Sequence, residues 1–228
     1  MSVVKSLPEL LLIHGWALGP GMWRPMLRHL SDWGVHALDM GYFGPSRMQP
    51  DLSGEGPLVA VGHSLGSLWL LRELALETPL AQALVRRRAK LVLINGFGRF
   101  SRAEDFSSGV HPRILERMIR RLRQDPAAVL DAFRVQAGAP PLGEAVPKGA
   151  NIQHLEAGLQ GLLAWDGRPM LESWPHSLLA LSTQDDGVAT PAMTRQSLPE
   201  SAIHWRDQGG HMLPLSQPAW CAEWIRQI

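Results

Sequence analysis

The chain has 228 residues, of which 45% are hydrophobic and 19% charged, enough apolar material for one sizeable core and too little polar bias for disorder. Its 22 Lys and Arg against 21 Asp and Glu leave a formal charge of +1, so no global field draws it to nucleic acid or an anionic membrane. The single cysteine, Cys221, excludes an intramolecular disulfide, a Cys-rich zinc site and an iron–sulfur cluster.

From the N-terminus, Met1 to Trp16 carries one Lys and the apolar run Leu10–Ile13, too short for a signal peptide. The longest apolar stretch, Leu58–Leu76, is broken by His63, Arg72 and Glu73, short of the roughly 20 apolar residues a membrane span needs. A soluble, cytoplasmic monomer is the expectation. Short apolar runs bounded by Gly, Pro or Asp recur at Leu10–Ile13, Val35–Leu38, Leu58–Val61, Leu91–Ile94, Leu178–Leu181 and Ala202–Trp205, as strands buried on both faces require. Helical patterns fall between them at Met22–Leu30, Leu65–Glu77 and Pro218–Gln227. The alternation predicts an α/β fold with a largely parallel sheet and helices on both sides.

Two segments interrupt it. Gly41–Pro57 is too rich in Gly, Pro and Ser for a crossover helix and reads as an extended loop. Between Phe97 and Pro175 no strand is evident, whereas His111–Gln124, Pro126–Gln136 and Ile152–Trp165 read as helices around the Gly/Pro-rich stretch Gly138–Gly149. The division expected is a core of residues 1–96 and 176–228 with a helical cap inserted at 97–175.

The sharpest local signal is Gly62-His63-Ser64-Leu65-Gly66, a Gly-x-Ser-x-Gly pattern that follows an apolar strand and opens a helical run. That setting is a nucleophile elbow: the small flanking residues let the chain turn sharply and expose the hydroxyl of Ser64. A serine needs a base, usually a histidine oriented by a carboxylate. Of nine histidines, His211 lies in the loop Gly209–Pro214 between the last strand and the final helix, where it projects over the carboxyl end of the sheet. His14 is expected to shape the neighbouring loop, and His63 has its direction fixed by the elbow. The acid is Asp185 or Asp186, in the turn after Leu178–Leu181. Asp186 is favoured because Gly187 permits the tight turn that aims it inward, leaving Asp185 solvated. The order Ser, Asp, His agrees with this architecture. Two backbone N–H groups are candidates for the oxyanion: that of Leu65, from the elbow, and that of Trp16, after the first strand.

No Gly-x-Gly-x-x-Gly follows the first strand, and no Walker A or His-Glu-x-x-His sequence occurs, which predicts an enzyme without cofactor or metal. On the helix His111–Gln124, Arg113, Arg117 and Arg120 recur at helical spacing with Arg121 beside them, while Leu115, Met118, Ile119 and Leu122 fill the other side. Such a face either grips an acidic, phosphate-bearing partner or is simply solvated. Arg86-Arg87-Arg88 reads as surface solubilisation.

Taken together, His14-Gly15-Trp16, the loop Asp39–Ser46, the Ser64 elbow, Asp186-Gly187-Val188 and Gly210-His211 resemble the α/β-hydrolase superfamily along nearly the whole chain. Within it, His-Gly-Trp followed by Trp23, Asn95-Gly96-Phe97 with Phe100-Ser101, and Leu155–Leu159 look like the pimeloyl-acyl-carrier-protein methyl ester esterases of biotin synthesis. The resemblance implies that Ser64, Asp186, His211, Trp16 and Leu65 take the roles argued above. It also implies that the substrate is the methyl ester of an acyl chain on an acyl carrier protein, methanol being the leaving group. The chain departs from the family in its shorter Gly41–Pro57 loop and in Ser67, which stands where a glycine often follows the elbow. Two other readings remain: a general esterase or thioesterase for small free acyl compounds, and a hydrolase-fold binding protein without turnover.

Overall fold

The computed structural model describes residues 7–139 and 149–228. Most of the predicted Gly138–Gly149 connection and the first six residues lie outside the described residues. Among those described, six strands form one sheet: β1 (Glu9–Ile13), β2 (Gly34–Leu38), β3 (Leu58–His63), β4 (Lys90–Ile94), β5 (Leu178–Thr183) and β6 (Ile203–Arg206). Their order is β2-β1-β3-β4-β5-β6, and every neighbouring pair is parallel. The helices are α1 (Arg24–Leu27), α2 (Leu65–Ala75), α3 (Pro79–Arg86), α4 (Pro112–Gln124), α5 (Pro126–Gln136), α6 (Ile152–Ala164), α7 (Arg168–Ser173), α8 (Pro191–Ser197), α9 (Leu213–Ser216) and α10 (Pro218–Gln227).

Side chains of a strand alternate between faces, and the central strands bury both. Leu10 and Leu12 of β1 join Val59 and Val61 of β3 in one cluster, covered by Met26 of α1 and by Cys221 and Ile225 of α10. Leu11 and Ile13 join Leu58 and Ala60 in another, covered by Ala81 and Leu84 of α3. This is why the central runs are continuously apolar. β2 and β6 depart from the predicted two-sided burial because they are the sheet edges, and Val35 is 41% exposed.

Other departures have local causes. The predicted helix Met22–Leu30 is a 3-10 turn (Pro20–Trp23) followed by the single turn α1, because Pro20 and Pro25 each restart the chain and the end closes through i→i+3 bonds from His29 and Leu30. The helices α3, α7 and α8, not anticipated, each have proline in the first turn, and a Thr side chain caps α3 and α8. Arg87 is not a surface residue. Its guanidinium donates to both carboxylate oxygens of Glu9 and to Gly56 O at 2.6–3.1 Å, and this bidentate partner holds the Glu9 carboxyl below its usual range. The pair fastens the end of the Gly41–Pro57 loop, which holds neither helix nor strand, to the start of β1.

Order reversal in the sheet falls between β1 and β3, because β2 lies on one side of β1 and β3 to β6 on the other. The loops after β1 and β3 therefore diverge and open a crevice at the carboxyl edge, the place where ligands of such sheets bind. Between β4 and β5 the chain leaves the sheet for α4, α5, α6 and α7, whose apolar residues Leu115, Leu122, Leu130, Leu155 and Leu159 extend the core over that edge.

Candidate active site

Ser64 sits between β3 and α2 with φ 52° and ψ −122°, a backbone region that costs a side-chain-bearing residue about 1–3 kcal/mol and is kept only when the surroundings enforce it. Here its N–H donates to Ile94 O at 3.1 Å, its carbonyl accepts from Ser67 N–H at 2.9 Å, and Ser67 Oγ donates to Gly62 O at 2.8 Å. Ser67 thus closes the elbow from within, a use of the position where the family pattern expects glycine.

The Ser64 hydroxyl lies 2.9 Å from His211 Nε2, and His211 Nδ1 lies 2.8 and 3.1 Å from the two carboxylate oxygens of Asp186. An ionised carboxylate only accepts, so Nδ1 carries the proton and the Nε2 lone pair faces the serine hydroxyl. All three groups are buried, 2–4% exposed. Asp186 also accepts from the N–H groups of Val188 and Ala189 at 2.8 and 2.9 Å, and from Asn95 Nδ2 at 2.8 Å. The arrangement can deprotonate a serine and stabilise the imidazolium that results.

Asp186, rather than Asp185, meets the histidine, though not for the expected reason: Gly187 has no left-handed φ among the described glycines. The N–H groups of Val188 and Ala189 hold the carboxylate inward instead. Nor is Asp185 merely solvated. It accepts from Gly209 and Gly210 N–H at 3.1 and 2.8 Å, where both glycines have positive φ, and so braces the loop that carries His211.

Leu65 is the first residue of α2, where N–H groups lack intrahelical partners and the helix dipole favours a developing anion. The chain leading to Trp16 passes beside Ser64, since a Cβ added at Gly15 would lie 3.1 Å from Ser64 Cβ. The Trp16 indole does something the sequence did not indicate: it donates to Leu155 O of α6 at 2.7 Å and packs edge-on against Phe133 of α5. Asn151 N–H donates to Tyr42 O, His154 Nδ1 pairs with Gly41 O, and Arg134 donates to Ala17 O. The helices between β4 and β5 are therefore tied to both loops that border the serine. His14 acts as expected on its loop, its Nε2 accepting from Met40 N–H at 3.1 Å.

A cavity of about 240 Å³ lies between α2 and α6, lined by Met40, Tyr42, Leu65, Trp69, Gly158 and Trp165 among others. This cavity reaches Leu65, next to the serine, but neither it nor the cleft of about 500 Å³ lined by Leu74, Val85, Met170 and Trp174 is lined by Ser64, Asp186 or His211. On α4, Arg113, Arg117, Arg120 and Arg121 are exposed, whereas Arg123 forms a bidentate pair with Glu156. The structure does not bring these arginines to the serine. Among the described residues no three His, Cys, Asp or Glu side chains gather as a metal site would need, and no helix is long and apolar enough to cross a membrane.

His63 is fully buried and donates through Nε2 to His211 O at 2.7 Å. Burial, aided by the neighbouring His211, pushes its pKa from 6.5 down to about 3. Below pH 6.5 the unfolded chain takes up a proton that the folded chain refuses until about pH 3. Stability therefore falls as pH drops through that window, by on the order of 5 kcal/mol across it. Urea unfolding at pH 7.5 and 4.5 is expected to show a smaller loss for His63→Gln, which keeps an amide donor but cannot titrate. An equal loss in both proteins overturns this assignment.

A family model described as "Alpha/beta hydrolase family" matches residues 10–224. The pimeloyl-[acyl-carrier protein] methyl ester esterase of Nitrosospira multiformis is 28% identical over 244 residues, covering 92% of this chain and 90% of that one. Its counterpart in Stenotrophomonas maltophilia is 31% identical over 138 residues, a match that spans 55% of this chain and only 50% of the relative. Among solved structures, an esterase from Exiguobacterium antarcticum superposes with a TM-score of 0.79 at 16% identity, covering 98% of this chain and 92% of that one. At that identity the likeness is one of fold.

Proposed function

The chain belongs to the alpha/beta hydrolase family, and from that premise we propose that it is a serine carboxylesterase that cleaves the methyl ester of a carrier-bound acyl chain, as in biotin synthesis. The observation that carries the mechanism is the continuous line from Ser64 Oγ through His211 to Asp186. Ser64 attacks the ester carbonyl as His211 Nε2 takes its proton, and the oxyanion is held by the N–H groups of Leu65 and Trp16. Collapse expels methoxide, which leaves as methanol with the proton from His211. Water, deprotonated by the same imidazole, then releases the acid and regenerates the serine.

The substrate assignment draws on the Nitrosospira relative, which matches over nine-tenths of both chains, and on two features of this chain. The apolar cavity beside Leu65 and under α6 suits a methylene chain. The helices between β4 and β5 act as a cap, and the exposed arginines of α4 offer an acidic carrier and its phosphopantetheine phosphate charge-assisted hydrogen bonds. The replacement of Arg113, Arg117 and Arg120 together by Ala is expected to lower kcat/KM on a carrier-linked pimeloyl methyl ester by about tenfold to hundredfold, and more at low salt. Free dimethyl pimelate should be hydrolysed within about twofold of the parental rate, since uniform binding alone is lost. An equal effect on both substrates, or none on either, points instead to an esterase for small free acyl compounds.

A further inference from the structure

Asn95 follows β4 and is buried, 1% exposed, with φ 47°. Asparagine is among the few residues that tolerate this left-handed conformation. The backbone is fixed by donation of its N–H to Leu181 O of β5 at 2.8 Å, which fixes the side chain over the carboxyl edge. Both donors and the oxygen of its carboxamide are engaged: one Nδ2 hydrogen goes to Asp186 Oδ2 at 2.8 Å, the other to Gly210 O at 3.1 Å, and Oδ1 accepts from Leu213 N–H at 3.3 Å. The two backbone partners lie on either side of His211. One planar group thus bonds to the acid and to the chain before and after the base.

We infer that Asn95 is a positioning residue of this site, its carboxamide setting the distance between Asp186 and the His211 loop. The inference rests on the triad reading above. Two donors and one acceptor are needed in one plane, and an amide supplies them where a carboxylate supplies acceptors alone. Other groups grip the loop, namely Asp185 at Gly209 and Gly210, Thr183 Oγ1 at Gly210 O and His63 at His211 O. Of these side chains, Asn95 alone bonds to the carboxylate as well as to the loop. A small displacement between base and nucleophile costs rate far more than binding, so the effect belongs in kcat.

The test uses the whole chain with Asn95→Gly, Asn95→Asp and, in parallel, Ser64→Ala, with rates on a short p-nitrophenyl ester referred to Ser64 titrated by a fluorophosphonate. Asn95→Gly removes the carboxamide without straining the left-handed backbone. Asn95→Asp keeps the shape, the backbone tolerance and the acceptor for Leu213, removes both donors and sets a second carboxylate against Asp186. Each is expected to lower kcat by about tenfold to hundredfold with KM within about threefold, a split typical of lost transition-state geometry. An Asn95→Asp enzyme with kcat within threefold of the parent, despite the lost donors and the second carboxylate beside Asp186, overturns the inference, as does an Asn95→Gly enzyme with kcat within threefold of the parent. Should Asn95→Gly fail to accumulate, the isosteric variant decides alone. If Ser64→Ala is inactive while both Asn95 variants turn over normally, only this inference falls. If Ser64→Ala remains active, the triad reading falls first.

Discussion

Replacing Ser64 with Ala is expected to lower kcat/KM on short p-nitrophenyl esters by about 10⁴-fold or more, while the chain melts within a few degrees of the parent. The hydroxyl is the sole group removed, and its partner is the Nε2 of a histidine already held by Asp186. The elbow's bonds at Ile94 and Ser67 involve backbone and survive. A residual rate is expected, because the N–H groups near the carbonyl do not depend on the hydroxyl. Asp186→Asn should fall nearly as far, about 10³–10⁴-fold, since an amide facing Nδ1 admits the tautomer whose Nε2 proton points at the serine. Stopped assays on purified protein, with fluorophosphonate labelling as the second reading, settle both. An unchanged rate in Ser64→Ala assigns the chemistry to another nucleophile. Stoichiometric labelling of the parent without turnover of any ester marks a binding protein.

The turn at Ser64 and the placing of His211 beside it were legible because their signals are local. Gly62 and Gly66 flank Ser64 between an apolar run and a helical one, and His211 follows the last run in a glycine-rich loop. The strands at the centre of the sheet were legible for a related reason: burial on both faces leaves an unbroken apolar word in the sequence. At the edges the same word misleads, since Val35 is apolar and exposed. Only the strand order, which no single run encodes, separates edge from centre.

What escaped depends on distance in the chain. The indole bond from Trp16 to Leu155 spans 139 residues, and the carboxamide bond from Asn95 to Asp186 spans 91. Arg87 was taken for a surface charge because it is the middle of three consecutive arginines, yet the fold brings Glu9, 78 residues away, against it. Asp186 was favoured over Asp185 for the glycine that follows it, yet what separates the two is the loop after β6 lying beside the turn after β5, which meets Asp186 at His211 and Asp185 at Gly209 and Gly210. The Thr-Pro pairs that open α3 and α8 were a readable signal, but helices of eight and seven residues are too short to show a period.

Gly66→Ala is expected to destabilise the fold by more than about 4 kcal/mol, which for a chain of this size lowers Tm by roughly 8–16 °C. A Cβ at this position would lie 2.2 Å from Ile13 O and 2.8 Å from His14 O, and both are backbone atoms at the end of β1, held in the sheet by pairing on two sides. Neither can give way by rotating a side chain, so α2 must move off β1. Ser64 and the Leu65 N–H sit on the turn that would shift, and Gly15 packs against that same turn. Stability and turnover should therefore fall together, unlike in Ser64→Ala, where turnover alone is lost. Gly62→Ala meets the same obstacle from the other side, its Cβ 2.5 Å from Ser67 Cα. Gly187→Ala is the control: nothing lies within 4 Å of its Cβ and its φ is not left-handed, so a change within about 0.5 kcal/mol is expected. Thermal melts followed by circular dichroism compare the three, and a Gly66→Ala protein that melts with the control would mean that the close approach of helix to strand does not set the elbow.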